Sequence, residues 1–293
     1  MSTVSVVILS FNRREDLQDG LTRILAERPP FVVEVIVVDN ASHDGSPDMV
    51  AAEFPAVRLI ALKENIGVAG YNRGFAVARG EFVLILDDDS FPAPGVIAGL
   101  AEAFAVHPEA AVVALDVRSF QSYRENPQSA PAAAPPEVSY QMGFNGAGVA
   151  VRRSVLAEVG GYAEEFFLYW NEQDLAIRIL AAGYRILHSP TLVSFHKNSP
   201  VNRQARRGPF YYTRNLYWVL WKHLPLPRLI ARTTGLLYLT LVHSLEQRTT
   251  VYLEATWDAF VHSAPAWRQR KPVSRELSAQ LRIPLQLAFT LFR

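Results

Sequence analysis

The chain has 293 residues, of which 49% are apolar and 19% are charged, so it can bury a sizeable core and is not disordered. It contains no cysteine, which excludes disulfides, thiolate metal sites and a cysteine nucleophile. The net charge is +1, but the charges are unevenly distributed. Residues 1–174 hold 12 basic and 24 acidic side chains, whereas residues 175–245 hold ten basic and no acidic ones. This asymmetry predicts different partners for the two regions.

Strand and helix signals alternate over the first half of the chain. A β-branched run over residues 4–9 precedes a polar helix over 14–27, the strand VEVIVVD, a helix over 47–54, the strand VRLIAL and a helix over 70–79. The apolar strand EFVLILDDD then ends in three carboxylates. This alternation predicts an α/β fold with a mainly parallel sheet sandwiched by helices. The segments SFNR, DNASHDGS and DDDS should then lie together at the carboxyl ends of the strands.

The second half begins with a predicted irregular loop over residues 126–136 and continues with a strand and helix in GFNGAGVAVRRSVLAEVGGY. The segment NEQDLAIRILAAGY has helical spacing and should end at Gly183. An aromatic, helical pattern starts near residue 208, which predicts a boundary between residues 1–205 and a C-terminal helical region over 206–293. The longest uncharged stretch there has 13 residues, and a membrane span needs about 20.

The most informative segment for chemistry is LILDDDS. Three consecutive aspartates repel one another unless a cation neutralises them, and hard oxygen ligands suit Mg²⁺ or Mn²⁺ shared with substrate phosphates. An acidic turn with capping by Asp89 and Ser90 is the alternative, but the position at the end of a buried strand favours a metal. His196 in SFHKNSP is a candidate further ligand through a neutral ring nitrogen, or else a structural histidine.

A second chemical segment is YWNEQDLAIR, where Glu172 and Asp174 are flanked by aromatic residues at the start of a predicted helix. Apolar surroundings raise the basicity of a carboxylate toward that of a general base, whereas a helix N-terminus lowers it. The alternative is a helix N-cap at Asn171 and an ion pair from Asp174 to Arg178. We interpret Glu172 as the chemical residue and Asp174 as structural or as orienting the acceptor, and both are candidate catalytic residues.

Together and in this order, the motifs SFNR, VVDNASHDGS, ENIGVAGYNRG, LDDDS and GGYAEEFFLYWNEQD, with a later histidine, resemble glycosyltransferase family 2, inverting enzymes with the GT-A fold. The resemblance covers about residues 3–205. The segment YYTRN resembles the branch that adds rhamnosyl or galactofuranosyl groups to polysaccharides. The resemblance implies Mn²⁺- or Mg²⁺-dependent transfer from a nucleotide-diphosphate sugar to a hydroxyl of a glycan or lipid-linked acceptor. UDP is favoured as the nucleotide over dTDP or GDP.

The resemblance also implies roles for individual residues. Asp39 would hydrogen-bond the base, and Glu172 would be the catalytic base. The metal ligands would be Asp87, Asp89 and His196. The residues implied to contact the nucleotide-sugar are Ser10, Phe11, Asn12, Asp39, Asn65, Gly67, Asn72, Asp87 and Asp88.

Two positions depart from the family pattern. Asn171 and Glu172 stand where the family commonly has Glu-Asp, so the base is one methylene longer here. Phe91 stands where some relatives carry a further acidic metal ligand, which leaves the coordination set open.

The basic region after residue 174 has its own predicted partner. Candidate residues for contact with an acceptor or with anionic headgroups are Trp170, Arg203, Arg206, Arg207 and Arg214. Alternatively, the Tyr and Trp side chains of this region only pack a helical subdomain. Nucleic acid is not expected, because the total charge is near neutral. The start of the chain lacks a signal-peptide layout, which predicts a cytoplasmic protein with peripheral contact at the inner face of the plasma membrane.

Several other classes of protein share parts of this pattern. A glycoside hydrolase needs two carboxylates but has no use for the DDD cluster. A dinucleotide oxidoreductase would need G-x-G-x-x-G after the first strand, and Gly67, Gly70 and Gly74 do not match this spacing. A sugar-phosphate nucleotidyltransferase should carry a basic, glycine-rich loop where this chain has SFNRRED. A non-catalytic nucleotide-sugar-binding protein of the same fold stays open.

Overall fold

The computed structural model describes residues 3–26, 32–125, 138–199 and 205–290, so the loop predicted over 126–136 lies outside the described residues. Within these ranges one sheet contains nine strands. They are β1 (Val4–Ser10), β2 (Val32–Asp39), β3 (Arg58–Ala61), β4 (Phe82–Asp87), β5 (Ser90–Pro92), β6 (Ala110–Ser119), β7 (Ser139–Gln141), β8 (Val149–Arg152) and β9 (Arg185–His196). Their order is β3-β2-β1-β4-β8-β6-β9-β5, and β7 pairs with β9.

The parallel pairing that the sequence predicts is confirmed for the first four strands. β3, β2, β1 and β4 are parallel neighbours, and β6 is parallel to β9. β8 is antiparallel to β4 and β6, and β5 and β7 are antiparallel to β9, so the second half of the sheet is mixed. The register places Ser10 opposite Asp39 and Leu9 opposite Asp87. The carboxyl ends of β1, β2 and β4 therefore meet at one edge.

The described ranges also contain thirteen α-helices. They are α1 (Arg14–Ala26), α2 (Ser46–Glu53), α3 (Tyr71–Phe75), α4 (Val96–Val106), α5 (Phe120–Glu125), α6 (Arg153–Val159), α7 (Asn171–Ala181), α8 (Arg207–His223), α9 (Leu226–Glu246), α10 (Val251–Val261), α11 (Ala264–Arg268), α12 (Arg275–Gln280) and α13 (Leu287–Thr290). Two short 3₁₀ helices occupy Gly67–Gly70 and Glu164–Phe166. None of these described helices is both long enough and apolar enough to cross a bilayer.

Successive side chains of the buried strands enter two different cores, one on each face of the sheet. In β1, Val6 and Ile8 pack in a cluster with Leu17 of α1, whereas Val7 packs in a cluster with Leu175 of α7. This is the period of two expected of a strand that is covered on both sides. Helices therefore sandwich the sheet, as the sequence predicts.

The helix predicted over residues 70–79 is shorter in the structure. A 3₁₀ turn over Gly67–Gly70 leads into α3, which ends at Phe75. The segment contains Gly67, Gly70 and Gly74, and glycine in a helix interior is destabilising by about 0.5–1 kcal/mol relative to alanine. Gly74 also allows α3 to lie close to β1, because a β-carbon at this position would lie 2.4 Å from Val7 Cγ1.

The C-terminal helices share a core with the end of the first region. The third apolar cluster combines Phe166, Trp170 and Ile177 with Tyr217 and Trp218 of α8. The aromatic residues of α8 therefore pack inside the protein, as the alternative of a packed helical subdomain predicted. The proposed boundary at 205 lies just before α8, yet the apolar packing continues across it.

Candidate active site

The first two aspartates of the LILDDDS segment have different partners. Asp87 ends β4, and its Oδ1 accepts a hydrogen bond of 2.9 Å from the Tyr71 hydroxyl. Asp88 accepts hydrogen bonds from the backbone N–H of Phe11 at 3.0 Å and from Arg13 Nη1 at 2.9 Å. The residues after β1 and the start of α3 therefore hold these two carboxylates in place.

The third aspartate completes a group that fits a divalent cation. Asp89 Oδ2 accepts the backbone N–H of Ser199 at 2.8 Å, and its buried Oδ1 lies 3.0 Å from His196 Nε2. The pairing of β5 with β9 brings His196 opposite Ser90 and so to the aspartates. One ligand atom from each of Asp87, Asp89 and His196 lies within 4.8 Å of the others. Two carboxylates and an imidazole suit Mn²⁺ or Mg²⁺.

The electrostatics of this group favour a bound cation. Burial, together with the negative charge of Asp89, raises the pKa of Asp87. Burial also opposes the ionisation of Asp89, but His196 and the charge of Arg13 lower its pKa below the ordinary value. An opposite charge at short range favours the ionised form of a carboxyl group. A divalent cation would therefore stabilise both ionised aspartates.

Arg13 and Tyr71 belong to this site, although the sequence did not single them out. Arg13 Nη1 lies 2.9 Å from Asp88 and 3.4 Å from Asp89, so it neutralises part of the acidic group. The sequence could have predicted the position of Arg13, because it follows β1, and β1 and β4 end at the same edge of the sheet. No such signal existed for Tyr71, whose position depends on how α3 packs.

The predicted nucleotide-contacting residues of β1 and β2 line the same edge. Ser10 and Asp39 are buried, and Ser10 Oγ and Asp39 Oδ1 have no hydrogen-bond partner among the described residues. The other oxygen of Asp39 accepts the Ser42 backbone N–H at 2.9 Å. Asn12 adopts a left-handed conformation with φ of 52°, and its Oδ1 accepts the His43 N–H at 2.6 Å. Buried polar atoms usually have partners, so the two open atoms are suited to a polar ligand.

Asn65 and Gly67 shape the loop after β3. Asn65 Oδ1 accepts hydrogen bonds of 2.9 Å from Asn40 Nδ2 and from the backbone N–H of Gly67. Gly67 has a φ of +67°, and a β-carbon there would lie 2.1 Å from the carbonyl oxygen of Phe167. The backbone N–H of Val68 donates to the same carbonyl at 2.7 Å. Only glycine fits this contact between the loop after β3 and the segment before α7.

The side chain of Asn72 bonds the backbone of the GGY segment. Its Nδ2 donates to the carbonyl of Tyr162, and its Oδ1 accepts the backbone N–H of Tyr162, both at 2.8 Å. Both polar atoms of the side chain are therefore engaged in joining α3 to the GGY segment. This geometry gives Asn72 a structural role, and its contact with the nucleotide-sugar stays a prediction.

Glu172 stands in the first turn of α7, with its carboxylate against the backbone before β8. A β-carbon at Gly146 would lie 2.8 Å from Glu172 Oε1, so the glycine makes room for the carboxylate. Burial, together with the negative charge of Asp87, raises the pKa of Glu172 to about 7. A carboxylate with this pKa has the proton affinity that a general base needs near neutral pH.

Asp174 is an internal ion-pair residue. Its carboxylate lies 2.9 Å from Arg178, as predicted, and 2.8 Å from both Lys222 and His223 of α8. Burial opposes its ionisation, but the hydrogen bond from His223 and the nearby cations hold the pKa of Asp174 far below its usual range. Asp174 therefore joins α7 to α8 and has no basicity to offer. The predicted N-cap at Asn171 is wrong, because Asn171 lies inside α7 and its side chain makes no hydrogen bond to any described residue.

The loop directly before Glu172 is conformationally strained. Phe167, Tyr169 and Trp170 have φ values of 62°, 64° and 65°. A left-handed conformation costs a residue with a β-carbon roughly 1–2 kcal/mol. Three such residues within four positions persist only if the surrounding structure over-determines them.

Two residues of the YYTRN segment supply that support from α8. Asn215 Nδ2 lies within hydrogen-bond distance of the carbonyls of Phe166, Leu168 and Tyr169, at 2.8, 2.6 and 3.0 Å. Arg214 donates to the carbonyl of Phe166 at 2.9 Å and to Asn215 Oδ1 at 2.9 Å. The two side chains therefore bind the carbonyls of the strained loop and fix the chain just before Glu172.

Replacing Asn215 with alanine is expected to lower kcat by roughly tenfold to a hundredfold, because a misplacement of about 1 Å at a catalytic group costs about that much. The KM for the sugar donor should change little, since the predicted donor contacts lie at the ends of β1, β2 and β4. Steady-state kinetics below the melting temperature of the variant check this result. Thr240→Val is the matched control, because Thr240 is also buried and bonded to α8, through Tyr217, but does not contact the loop. Equal losses of kcat in both variants would contradict a positioning role.

Of the residues predicted for an acceptor or membrane surface, Arg214 is buried. Its side chain is 9% exposed, and its guanidinium stacks on the rings of Tyr211 and Trp218. Its donors are used by loop carbonyls, so it does not face solvent. Trp170 is also buried, and its Nε1 donates to the carbonyl of Tyr212 at 2.9 Å.

The other predicted surface arginines differ in their contacts. Arg206 forms an exposed ion pair of 2.7 Å with Glu254, and the Arg207 guanidinium lies 4.9 Å from the ring of Phe167. Both arginines line one groove of about 450 Å³ between α8 and α10. Arg203 lies outside the described residues.

The mixed sheet with helices on both faces is that of a glycosyltransferase of the GT-A fold, and Asp87, Asp89 and His196 form a group that could hold a metal ion. The mannosyltransferase PcManGT from Pyrobaculum calidifontis, solved in complex with GDP-Man and Mn²⁺, has this fold, with a TM-score of 0.58 and 23% identity over 99% of this chain and 84% of that one. The family described as Glycosyl transferase family 2 matches residues 5–172. The chain belongs to this family, as the motifs predicted.

Two curated relatives indicate which members of the family are similar. The chain is 36% identical over 130 residues to the succinoglycan biosynthesis protein ExoO of Rhizobium meliloti (strain 1021), a match that covers 42% of this chain and 37% of that one. It is 26% identical over 212 residues to the N-acetylglucosaminyl-diphospho-decaprenol L-rhamnosyltransferase of Mycobacterium tuberculosis (strain CDC 1551 / Oshkosh), over 59% of this chain and 68% of that one. The match with ExoO spans little more than a third of its length.

Proposed function

We propose that this protein is a metal-dependent, inverting glycosyltransferase that moves a sugar from a nucleotide-diphosphate sugar to a hydroxyl of a glycan or lipid-linked acceptor. The main support is that Asp87 belongs to the metal-binding group and also lies close enough to Glu172 to raise its pKa. A cation that would hold the donor diphosphate and a base that would activate the acceptor are therefore neighbours. This is the arrangement that a direct displacement requires.

In the proposed reaction, Glu172 removes the proton from the acceptor hydroxyl. The oxygen then forms a bond to the anomeric carbon while the bond from that carbon to the nucleoside diphosphate breaks, so the configuration inverts. Mn²⁺ or Mg²⁺ held by Asp87, Asp89 and His196 would stabilise the negative charge of the leaving diphosphate. Arg13 keeps Asp88 and Asp89 in place, and Gly146 leaves space beside the Glu172 carboxylate.

The donor site is proposed on the open polar atoms at the ends of β1 and β2. Asp39 Oδ1 would accept a hydrogen bond from the base, and Ser10 Oγ would donate a hydrogen bond to the ribose or accept one from it, with Phe11 and Asn12 beside them. UDP is favoured as the nucleotide, and dTDP and GDP are the alternatives. The similarity to a mannosyltransferase that was solved with GDP-Man and Mn²⁺ supports a nucleotide-sugar donor with a divalent metal.

The acceptor and the setting are proposed by analogy with the named relatives. One acts on a diphospho-decaprenol-linked sugar, and the other takes part in succinoglycan biosynthesis. We infer that this chain works in cell-surface polysaccharide synthesis, in the cytoplasm and at the inner face of the plasma membrane, where nucleotide-sugars and lipid-linked acceptors meet. A basic glutamate beside the metal-binding group supports transfer over mere binding, because a binding protein has no need of a base.

A panel of nucleotide-sugars tests this proposal. The purified protein with Mn²⁺ is expected to release free nucleoside diphosphate from at least one donor, and release should stop when EDTA is added. A nucleotidyltransferase would instead release a sugar phosphate or consume a nucleoside triphosphate. Tight binding of a donor with no turnover of any member of the panel, with or without acceptor, would support a non-catalytic binding protein.

A further inference from the structure

Helix α9 carries an apolar stripe that no described residue covers. Its exposed apolar side chains are Leu226, Ile230, Leu237, Tyr238, Leu241 and Leu245. They share one face of the helix and extend over about 28 Å at 1.5 Å per residue. The two arginines of this helix, Arg228 and Arg232, lie off the stripe and donate hydrogen bonds to residues 278–283. The stripe itself therefore carries no charge.

Helix α10, which packs against α9, carries a second set of exposed apolar side chains. Its exposed apolar side chains are Leu253, Trp257, Phe260 and Val261, and Trp257 is 73% exposed. The two helices are joined by residues 247–250 and meet at Thr240 and Thr256, whose hydroxyl oxygens are 3.5 Å apart. We call these two sets of side chains the C-terminal apolar face. Monomeric soluble proteins rarely expose a contiguous apolar patch larger than a few hundred Å², and larger ones mark interaction sites.

Unpaired positive charge accompanies the C-terminal apolar face. Four exposed basic side chains have no acidic partner among the described residues, namely Arg248, Arg268, Lys271 and Arg275. Arg248 follows Leu245 by three residues, at the end of the stripe. Acidic groups of the same region are largely engaged, since Glu254 pairs with Arg206 at 2.7 Å and Asp258 with His262 at 2.9 Å. Residues 226–290 hold eight basic and four acidic side chains, so the region that carries the apolar face is positively charged.

We propose that the C-terminal apolar face docks on an anionic lipid bilayer and lies in its interface without crossing it. Apolar and tryptophan side chains suit the boundary between headgroups and acyl chains, and free arginines and lysines suit anionic headgroups. The inference rests on the proposed function, because a lipid-linked acceptor is reached at a bilayer surface. It adds a surface to the predicted contact, in which Arg206 pairs with Glu254 and Arg214 binds a loop carbonyl.

A second copy of the chain fits this surface less well than a bilayer. In a two-fold dimer each patch meets its own copy, so the unpaired basic side chains would face one another across the interface. An anionic bilayer instead offers negative charge at the rim and an apolar interior at the centre. Charge complementarity therefore selects the lipid.

Sedimentation of the full chain with vesicles tests the proposal. The wild type is expected to sediment with vesicles of phosphatidylglycerol and phosphatidylcholine, and much less with phosphatidylcholine alone. The triple variant Leu241→Gln, Leu245→Gln, Trp257→Gln should bind the anionic vesicles about tenfold more weakly, because it removes apolar area from the interface. Lys271→Gln with Arg275→Gln should weaken binding at low salt. Val106→Gln on α4 is the matched control, because Val106 is 57% exposed on a distant helix and should have no effect.

The outcomes separate this inference from the proposed function. Absence of wild-type binding, or equal binding by the triple variant, would overturn the membrane face. A wild-type dimer that the triple variant converts to a monomer, with no vesicle binding, would assign the face to a second copy. Metal-dependent release of nucleoside diphosphate in the absence of lipid should be equal in the wild type and the triple variant. Vesicle binding without any such release would refute the proposed activity and leave the membrane face intact.

Discussion

Replacing Glu172 with glutamine is expected to lower kcat by about 10²–10⁴-fold, the usual contribution of a positioned general base. Glutamine keeps the size of the side chain beside Gly146 but cannot take up the acceptor proton. Donor binding should persist, because the predicted donor contacts lie at the ends of β1, β2 and β4. Calorimetry with the donor or nucleoside diphosphate, together with transfer kinetics, measures both effects. Glu164→Gln is the matched control, because it removes an exposed carboxylate from the same segment and should leave the rate unchanged.

The pH profile gives an independent check on the same residue. Because the base acts in its ionised form and burial raises its pKa to about 7, the transfer rate of the wild type should rise through neutral pH and level off above it. The rate is therefore high when the pH is above the pKa of Glu172 and falls as the pH drops below it. The residual rate of Glu172→Gln should lack this limb. An unchanged limb in the variant would assign the titration to another group and contradict the role of Glu172.

The part of the site that the sequence predicts is the part that follows from strand pairing. Parallel strands end at the same edge of a sheet, so residues just after β1, β2 and β4 had to meet, and Ser10, Asp39 and Asp87 do. The same reasoning could have found Arg13. His196 required more, because β9 reaches the aspartates through its antiparallel pairing with β5, and the order of strands outside the parallel half does not follow from the motifs.

The part that the sequence could not predict depends on contacts between distant elements and on unusual backbone conformations. Arg214 looks like a surface arginine because the carbonyls that it binds belong to residues 48–49 positions earlier. The loop that follows those carbonyls has positive φ values at Phe167 and Tyr169, which residues with a β-carbon rarely adopt. The structural contact of Asn72 could not be predicted for a related reason, since its partner Tyr162 lies 90 residues later.

Asp89→Asn should uncouple the metal from the donor. The substitution keeps an oxygen for the Ser199 N–H but removes one of two anionic ligands, so the affinity for Mn²⁺ should fall at least about tenfold and kcat by about 10²–10³-fold, as when a group that stabilises developing charge is lost. Because a ligand that binds only the folded state stabilises it, Mn²⁺ with nucleoside diphosphate should raise the melting temperature of the wild type and not of the variant. This readout does not depend on knowing the acceptor.

The matched control for this experiment is Asp48→Asn, which removes an exposed aspartate near the start of α2. It changes the net charge equally and should leave both the thermal shift and the rate unaltered. The physical reason for expecting a difference is local: Asp89 lies beside Asp87 and His196, and a cation there would compensate the repulsion between the two carboxylates. A thermal shift of Asp89→Asn as large as that of the wild type would mean that the cation binds elsewhere, and the assignment of the acidic triplet would fail with it.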